Sequence, residues 1–114
     1  LRSGVVVDSP DREGGAVNET QVRERAEAHA QAIVGGDLRR ASQDLADEAK
    51  RSAPAVMAEM PRPVTAVRVT DVAASGEDVV ATIVYSGGDV ETIVESRWSD
   101  RNGRPMITEL TLRA

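Results

Sequence analysis

At 114 residues, with a net charge of −5 and no cysteine, the chain has room for one domain and excludes disulfides and thiolate metal sites. The acidic balance argues against a nucleic-acid backbone as the main partner, because phosphate binding calls for a basic face. A single histidine, His29, makes a zinc or haem site unexpected, and no apolar run approaches the roughly 20 residues that cross a bilayer. Neither a metal, a cofactor nor a membrane is therefore expected. Val5–Val7 is too short for the apolar stretch of a secretory leader, so a cytoplasmic protein is expected. Phenylalanine is absent, and Tyr85 and Trp98 are the only large aromatics. The core must come from Val, Ile, Leu, Met and Ala, and a ligand stacked between aromatic rings is disfavoured.

Residues 1 to about 17 read as a flexible tail, polar and broken by Pro10, Gly14 and Gly15, with Val5–Val7 as an optional edge strand. The domain proper spans 18–114. A helix is expected from about Thr20 to Val34, with Asn18 and Gln21 at capping-box spacing and Thr20 as an alternative cap. Val22, Ala26, His29, Ala30 and Ile33 recur at helical spacing and form its buried stripe. Gly35-Gly36 ends it, and Asp37 caps a second helix running to about Arg51. Ser52 and Pro54 open a short third helix, which Pro61 and Pro63 end. Arg39, Arg40, Lys50 and Arg51, balanced by Asp44, Asp47 and Glu48, read as a solvated face.

From Val64 the period changes to two. Strands are expected at about 64–73, 78–86, 89–99 and 104–113, joined by short turns and hence antiparallel. A Gly87-Gly88 loop would set Tyr85 opposite Val90 and Ile83 opposite Thr92; a three-residue loop at 101–103 would set Trp98 opposite Met106 and Val94 opposite Leu110. Val79, Ala81, Ile83, Tyr85, Val90, Thr92 and Val94 then share an inner face with Trp98, Met106, Thr108, Leu110 and Leu112. Val80, Val84, Ile93 and Ile107 fall on the outer face among Glu91, Glu95, Arg97 and Glu109. Such a mixture suits a homodimer interface with an apolar middle and a charged rim. It also suits a solvated face whose branched residues serve strand propensity.

The fold class is thus α+β, with N-terminal helices packed on a curved four-stranded antiparallel sheet. Two stretches, AHAQAIVGGDLRRASQDLADEA (28–49) and ESRWSDRNGRPMITELTL (95–112), resemble the nuclear-transport-factor-2-like superfamily, which includes SnoaL-like cyclases and ketosteroid isomerases. In the first, a helix ends in Gly-Asp and the next opens at Leu38; in the second, a Trp-bearing strand turns through Asn-Gly and returns as Ile-x-Glu-Leu. The resemblance covers about residues 20–113. It implies a cone, in which a bent sheet wraps the helices and leaves a pocket at the wide end, and dimerisation through sheet surfaces. The family's enzymes commonly use a Tyr or His from the helices and an Asp or Glu from the sheet; no motif here matches such a set.

His29 is the leading candidate site residue, since a neutral imidazole facing the sheet can act as a base or bind a ligand, and can equally be packed and satisfied. Tyr85 and Trp98, on the same face, can line a pocket with their polar tips or serve as core. Three functions stay open. One is a dimeric binding module for a small apolar ligand beside His29, Tyr85 and Trp98. Another is a small lyase, isomerase or hydrolase with His29 as base and Tyr85 as donor. The third is an assembly module with a filled cone.

Overall fold

A computed structural model describes residues 17–113. The optional strand at Val5–Val7 lies outside the described residues, as does the expected tail except for Val17, which packs against the core. Three helices, α1 (Glu19–Val34), α2 (Leu38–Ser42) and α3 (Asp47–Ala58), precede four strands, β1 (Ala66–Ser75), β2 (Asp78–Gly87), β3 (Val90–Arg101) and β4 (Arg104–Arg113). The strands form one antiparallel sheet in chain order, and the helices pack on its inner face. The α+β architecture expected from the sequence is present. No helix is long and apolar enough to cross a membrane among the described residues.

Helix α1 follows its sequence closely. The Asn18 side chain accepts from the Gln21 backbone N–H at 2.8 Å, and the stripe Val22, Ala26, His29, Ala30 and Ile33 is buried along its whole length. The Asp37 carboxylate accepts from the Arg40 N–H at 3.1 Å and starts α2.

The second helix does not run on to Arg51. It stops at Ser42; Gln43 and Asp44 turn the chain, and Leu45 and Ala46 complete a short crossing before α3. Ser42 and Asp44 favour helix weakly, and the backbone finds better partners elsewhere. Ile107 of β4 donates its N–H to the Asp44 carbonyl at 2.7 Å, and the Ala46 N–H donates to the Ile107 carbonyl at 2.8 Å. The crossing thereby pairs with the outer edge of β4, as a parallel bridge between Leu45 and Ile107. Pro54, expected near a helix start, sits inside α3.

Both later hairpins differ in register from expectation. Gly88 and Asp89, not Gly87-Gly88, form the β2–β3 turn, so Tyr85 pairs with Thr92 and Ile83 with Val94. A shift of two preserves every face. Gly87 stays in the strand because the chain at 61–63 crosses its α-carbon: a Cβ there would lie 2.0 Å from the Pro63 carbonyl oxygen and 2.8 Å from Pro61 Cβ.

The last turn has two residues, Asn102 and Gly103, both with positive φ (57° and 86°), rather than three. Met106 therefore pairs with Ser99 on the outer side, and Ile107 pairs with Trp98 on the inner side, fully buried. This corrects the outer-face assignment of Ile107 and the inner-face assignment of Met106. A bulge at Thr108 then restores the phase, so that Leu110 lies opposite Ser96 and Leu112 opposite Val94. Burying the Ile107 side chain is worth roughly 1.5–3 kcal/mol, more than the roughly 0.5–1.5 kcal/mol of a ladder hydrogen bond lost at a bulge. Leu110 is half-buried against the core, while Leu112, at 37 %, and Val90, at 49 %, are exposed.

On the outer face, Val84 is 5 % exposed and Val80 and Ile93 are half-buried. Ion pairs cross the strands around them: Arg68–Glu91 at 3.6 Å, Arg113–Glu95 at 3.5 Å and Arg97–Glu109 at 3.5 Å. At the other edge of the sheet, β1 has its Ala74 N–H capped by the Glu19 carboxylate at 3.1 Å.

Gly87→Ala should lower the stability by about 2 kcal/mol or more, because backbone rather than a side-chain tip stands in the way. Urea unfolding measures this, and a loss under 0.5 kcal/mol would contradict the close approach.

Candidate functional site

Between the helices and the sheet lies a cavity of about 180 Å³. Helix α1 contributes His29 and Ile33; α2 and the crossing contribute Leu38, Ala41, Ser42 and Leu45. Helix α3 and its exit supply Ala53, Val56, Met57 and Met60, and the sheet closes the floor with Tyr85, Val94 and Leu110. Leu38, 52 % exposed, and Ser42, also exposed, mark where the cavity meets solvent. Among the described residues the wall is otherwise apolar, with His29, Ser42 and Tyr85 as its only polar side chains.

His29 does not stand alone. Its Nδ1 lies 3.1 Å from Oδ2 of Asp44, whose side chain is 1 % exposed. Arg40 Nη1 donates to the same oxygen at 2.9 Å, from the next turn of chain. The Asp44 Oδ1 atom is buried without a hydrogen bond; Arg104 Nη2 stands 3.8 Å away, near enough for charge but not for a bond. Arg104 also donates to the Gln43 carbonyl at 3.1 Å, which ties β4 to the crossing.

Burial by itself pushes the Asp44 carboxyl up. The His29 ring, by hydrogen bond and electrostatics, and then Arg40 in the same two ways, outweigh burial and hold the carboxyl below its ordinary range. Asp44 is therefore an anion that only accepts hydrogen bonds, so the shared proton sits on His29 Nδ1. With the ring neutral, Nε2 carries a lone pair. That nitrogen has no hydrogen-bond partner among the described residues, and it is not sealed from solvent as Asp44 Oδ1 is.

Tyr85 is 2 % exposed, and burial pushes its phenol well above the usual tyrosine range. The hydroxyl is thus neutral and makes no hydrogen bond among the described residues. Trp98 is placed differently. It is fully buried and meets His29 edge-on, with ring centroids 6.3 Å apart at 89°, and it does not reach the cavity wall. Its Nε1–H donates to Ser96 Oγ at 2.9 Å, and Ser96 donates to the Ala81 carbonyl at 3.0 Å. Thr92 likewise bonds backbone, donating to the Glu59 carbonyl at 2.6 Å. The structure therefore brings His29 and Tyr85 to one cavity and sets Trp98 behind His29 as a support.

Sequence reasoning missed Asp44, which it placed on a solvated helix face. The helix break at Ser42 turns Asp44 inward, and an unbroken helix would not. A legible signal was present: Ser42-Gln43-Asp44 is the weakest helix-forming run between Leu38 and Ala49. No protein-family model matches the chain, and no curated protein is similar to it in sequence.

Because Asp44 has a lower pKa folded than unfolded, its contribution is present above the unfolded value, near 4, and is lost as the pH falls below it. Asp44→Asn should reduce stability at pH 7 by about 2 kcal/mol. The gap to the wild type should narrow as both are titrated below about pH 4. Urea unfolding at pH 7 and pH 3 tests both points; a gap independent of pH would remove the ionised carboxylate from the account.

Proposed function

We propose that the chain is a small-ligand-binding domain of the nuclear-transport-factor-2-like type, holding one compact apolar molecule in the cavity beside His29 and Tyr85. The observation that carries this reading is an apolar chamber lined by His29 and Tyr85, whose Nε2 and hydroxyl have no hydrogen-bond partner among the described residues. A ligand that displaces water from the chamber must itself partner these two groups, which fixes its orientation. An apolar protein cavity of about 150 Å³ holds benzene, so the chamber of about 180 Å³ suits a single ring with short substituents. The open chamber favours this reading over a module with a filled interior.

A second reading has its own support. A carboxylate that fixes an imidazole tautomer, with the opposite nitrogen free, is an arrangement suited to a general base. His29 would then take a proton from a bound substrate and Tyr85 would donate one, as in a small lyase, isomerase or hydrolase. The reading also includes a second copy of the chain across the outer sheet face, through Val80, Val84 and Ile93 with the ion pairs as rim. The location in this proposal is cytoplasmic, which the absence of cysteine suits.

Toluene should raise the Tm of the wild type in a concentration-dependent way. Ala41→Leu, which fills the chamber from a buried wall position, should abolish that shift while leaving the protein folded. An unchanged Tm at saturating toluene would remove the binding reading. For the dimer, sedimentation equilibrium should give twice the monomer mass of 12.1 kDa at micromolar concentration, and Ile93→Arg should return the monomer. A monomeric wild type would overturn that part.

A further inference from the structure

The cavity has one polar atom whose role is set by the protein rather than by the ligand. His29 Nδ1 is committed to Asp44 at 3.1 Å, and that carboxylate already answers to Arg40 at 2.9 Å and Arg104 at 3.8 Å. The buried carboxylate can only accept, so in a neutral imidazole the proton lies on the nitrogen that faces it, Nδ1. A neutral ring with its proton on Nδ1 can only accept at Nε2. Tyr85, whose hydroxyl can donate or accept, does not discriminate between ligands in this way. Nor is there a cation for an anionic ligand: no Lys or Arg lines the chamber among the described residues, and the two nearest arginines are spent on Asp44.

We propose that the natural ligand of this cavity is a small, uncharged ring bearing a hydroxyl, a phenol-like molecule that donates its O–H to His29 Nε2. The proposal rests on the reading of the cavity as a ligand site and adds the ligand's chemistry to it. A carbonyl compound of the same size offers Nε2 no proton and leaves it desolvated and unpaired. A carboxylic acid would enter as an anion with no positive partner on the wall. A plain hydrocarbon fills the space but leaves both polar groups unsatisfied. Size sets the other limit, since the chamber takes roughly one six-membered ring with short substituents.

The test compares four probes of nearly equal size on the whole chain at pH 7.5: phenol, benzene, benzaldehyde and benzoate, titrated by 1H–15N NMR. Phenol should bind about tenfold more tightly than benzene, one net hydrogen bond's worth. Benzaldehyde, which can only accept and so leaves Nε2 without a proton, should bind more weakly than phenol, and benzoate should bind most weakly. His29→Leu should keep benzene binding and lose the preference for phenol. Independently of any variant, the 15N shifts of the His29 ring in the free wild type should show a protonated Nδ1 and an unprotonated Nε2. Equal binding of phenol and benzene, or a proton on Nε2, would overturn the proposal and leave the cavity reading intact. Failure of all four probes to bind would overturn both.

Discussion

Two backbone hydrogen bonds organise the functional end of this protein: those that join Ile107 to Asp44 and to Ala46 across the edge of β4. They fasten the chain just after α2, which ends after little more than one turn, and set Leu45 alongside the sheet. The side-chain consequence is larger than the backbone one. Asp44 turns from a helix surface into the interior and meets His29, which α1 has already brought to the same depth. Ile107, held from the edge side, also seats its side chain against Trp98, and Trp98 in turn braces the imidazole. One local pairing thus positions the carboxylate, the aromatic support and the floor of the cavity.

Much of this was legible in the sequence because it is local. The inward stripe of α1, the Asn18 and Asp37 caps and the change to period two at the sheet each depend on neighbours within a few residues. What was not legible depends on distant partners. The end of α2 at Ser42 requires β4, more than 60 residues on, to compete for the backbone of Asp44 and Ala46. The retention of Gly87 in its strand requires the chain at Pro61–Pro63 to pass over it. The two-residue turn brings Ile107 to the inner face and the bulge after it returns Leu110 to that face, and each alone would reverse every side chain after it. Tyr85 and His29 were identifiable as inward-facing residues, whereas their relation to a cavity and to Asp44 belongs to the tertiary structure.

The charge around Asp44 also shows how a small core of aliphatic side chains accommodates polarity. A buried carboxylate without partners would be protonated or expelled, since isolated charges are expensive away from water. Here the two arginines remain partly in solvent, at 40 % and 46 % side-chain exposure, while their head groups reach inward. The carboxylate is dry and its counter-charges are wet, which lowers the cost of keeping an ion at the base of an apolar chamber.

The two edges of the sheet are not equivalent. The crossing at 43–46 occupies the hydrogen-bonding side of β4 at Ile107, whereas along β1 a side chain, Glu19, rather than backbone bonds the Ala74 N–H among the described residues. Among the described residues, a strand added to this sheet would meet less obstruction at β1 than at β4. If it were the same strand of an identical molecule, the two sheets would join as a pair. Each outer limit would then carry the obstruction at Ile107, the kind of interruption that discourages a sheet edge from continuing into a fibril.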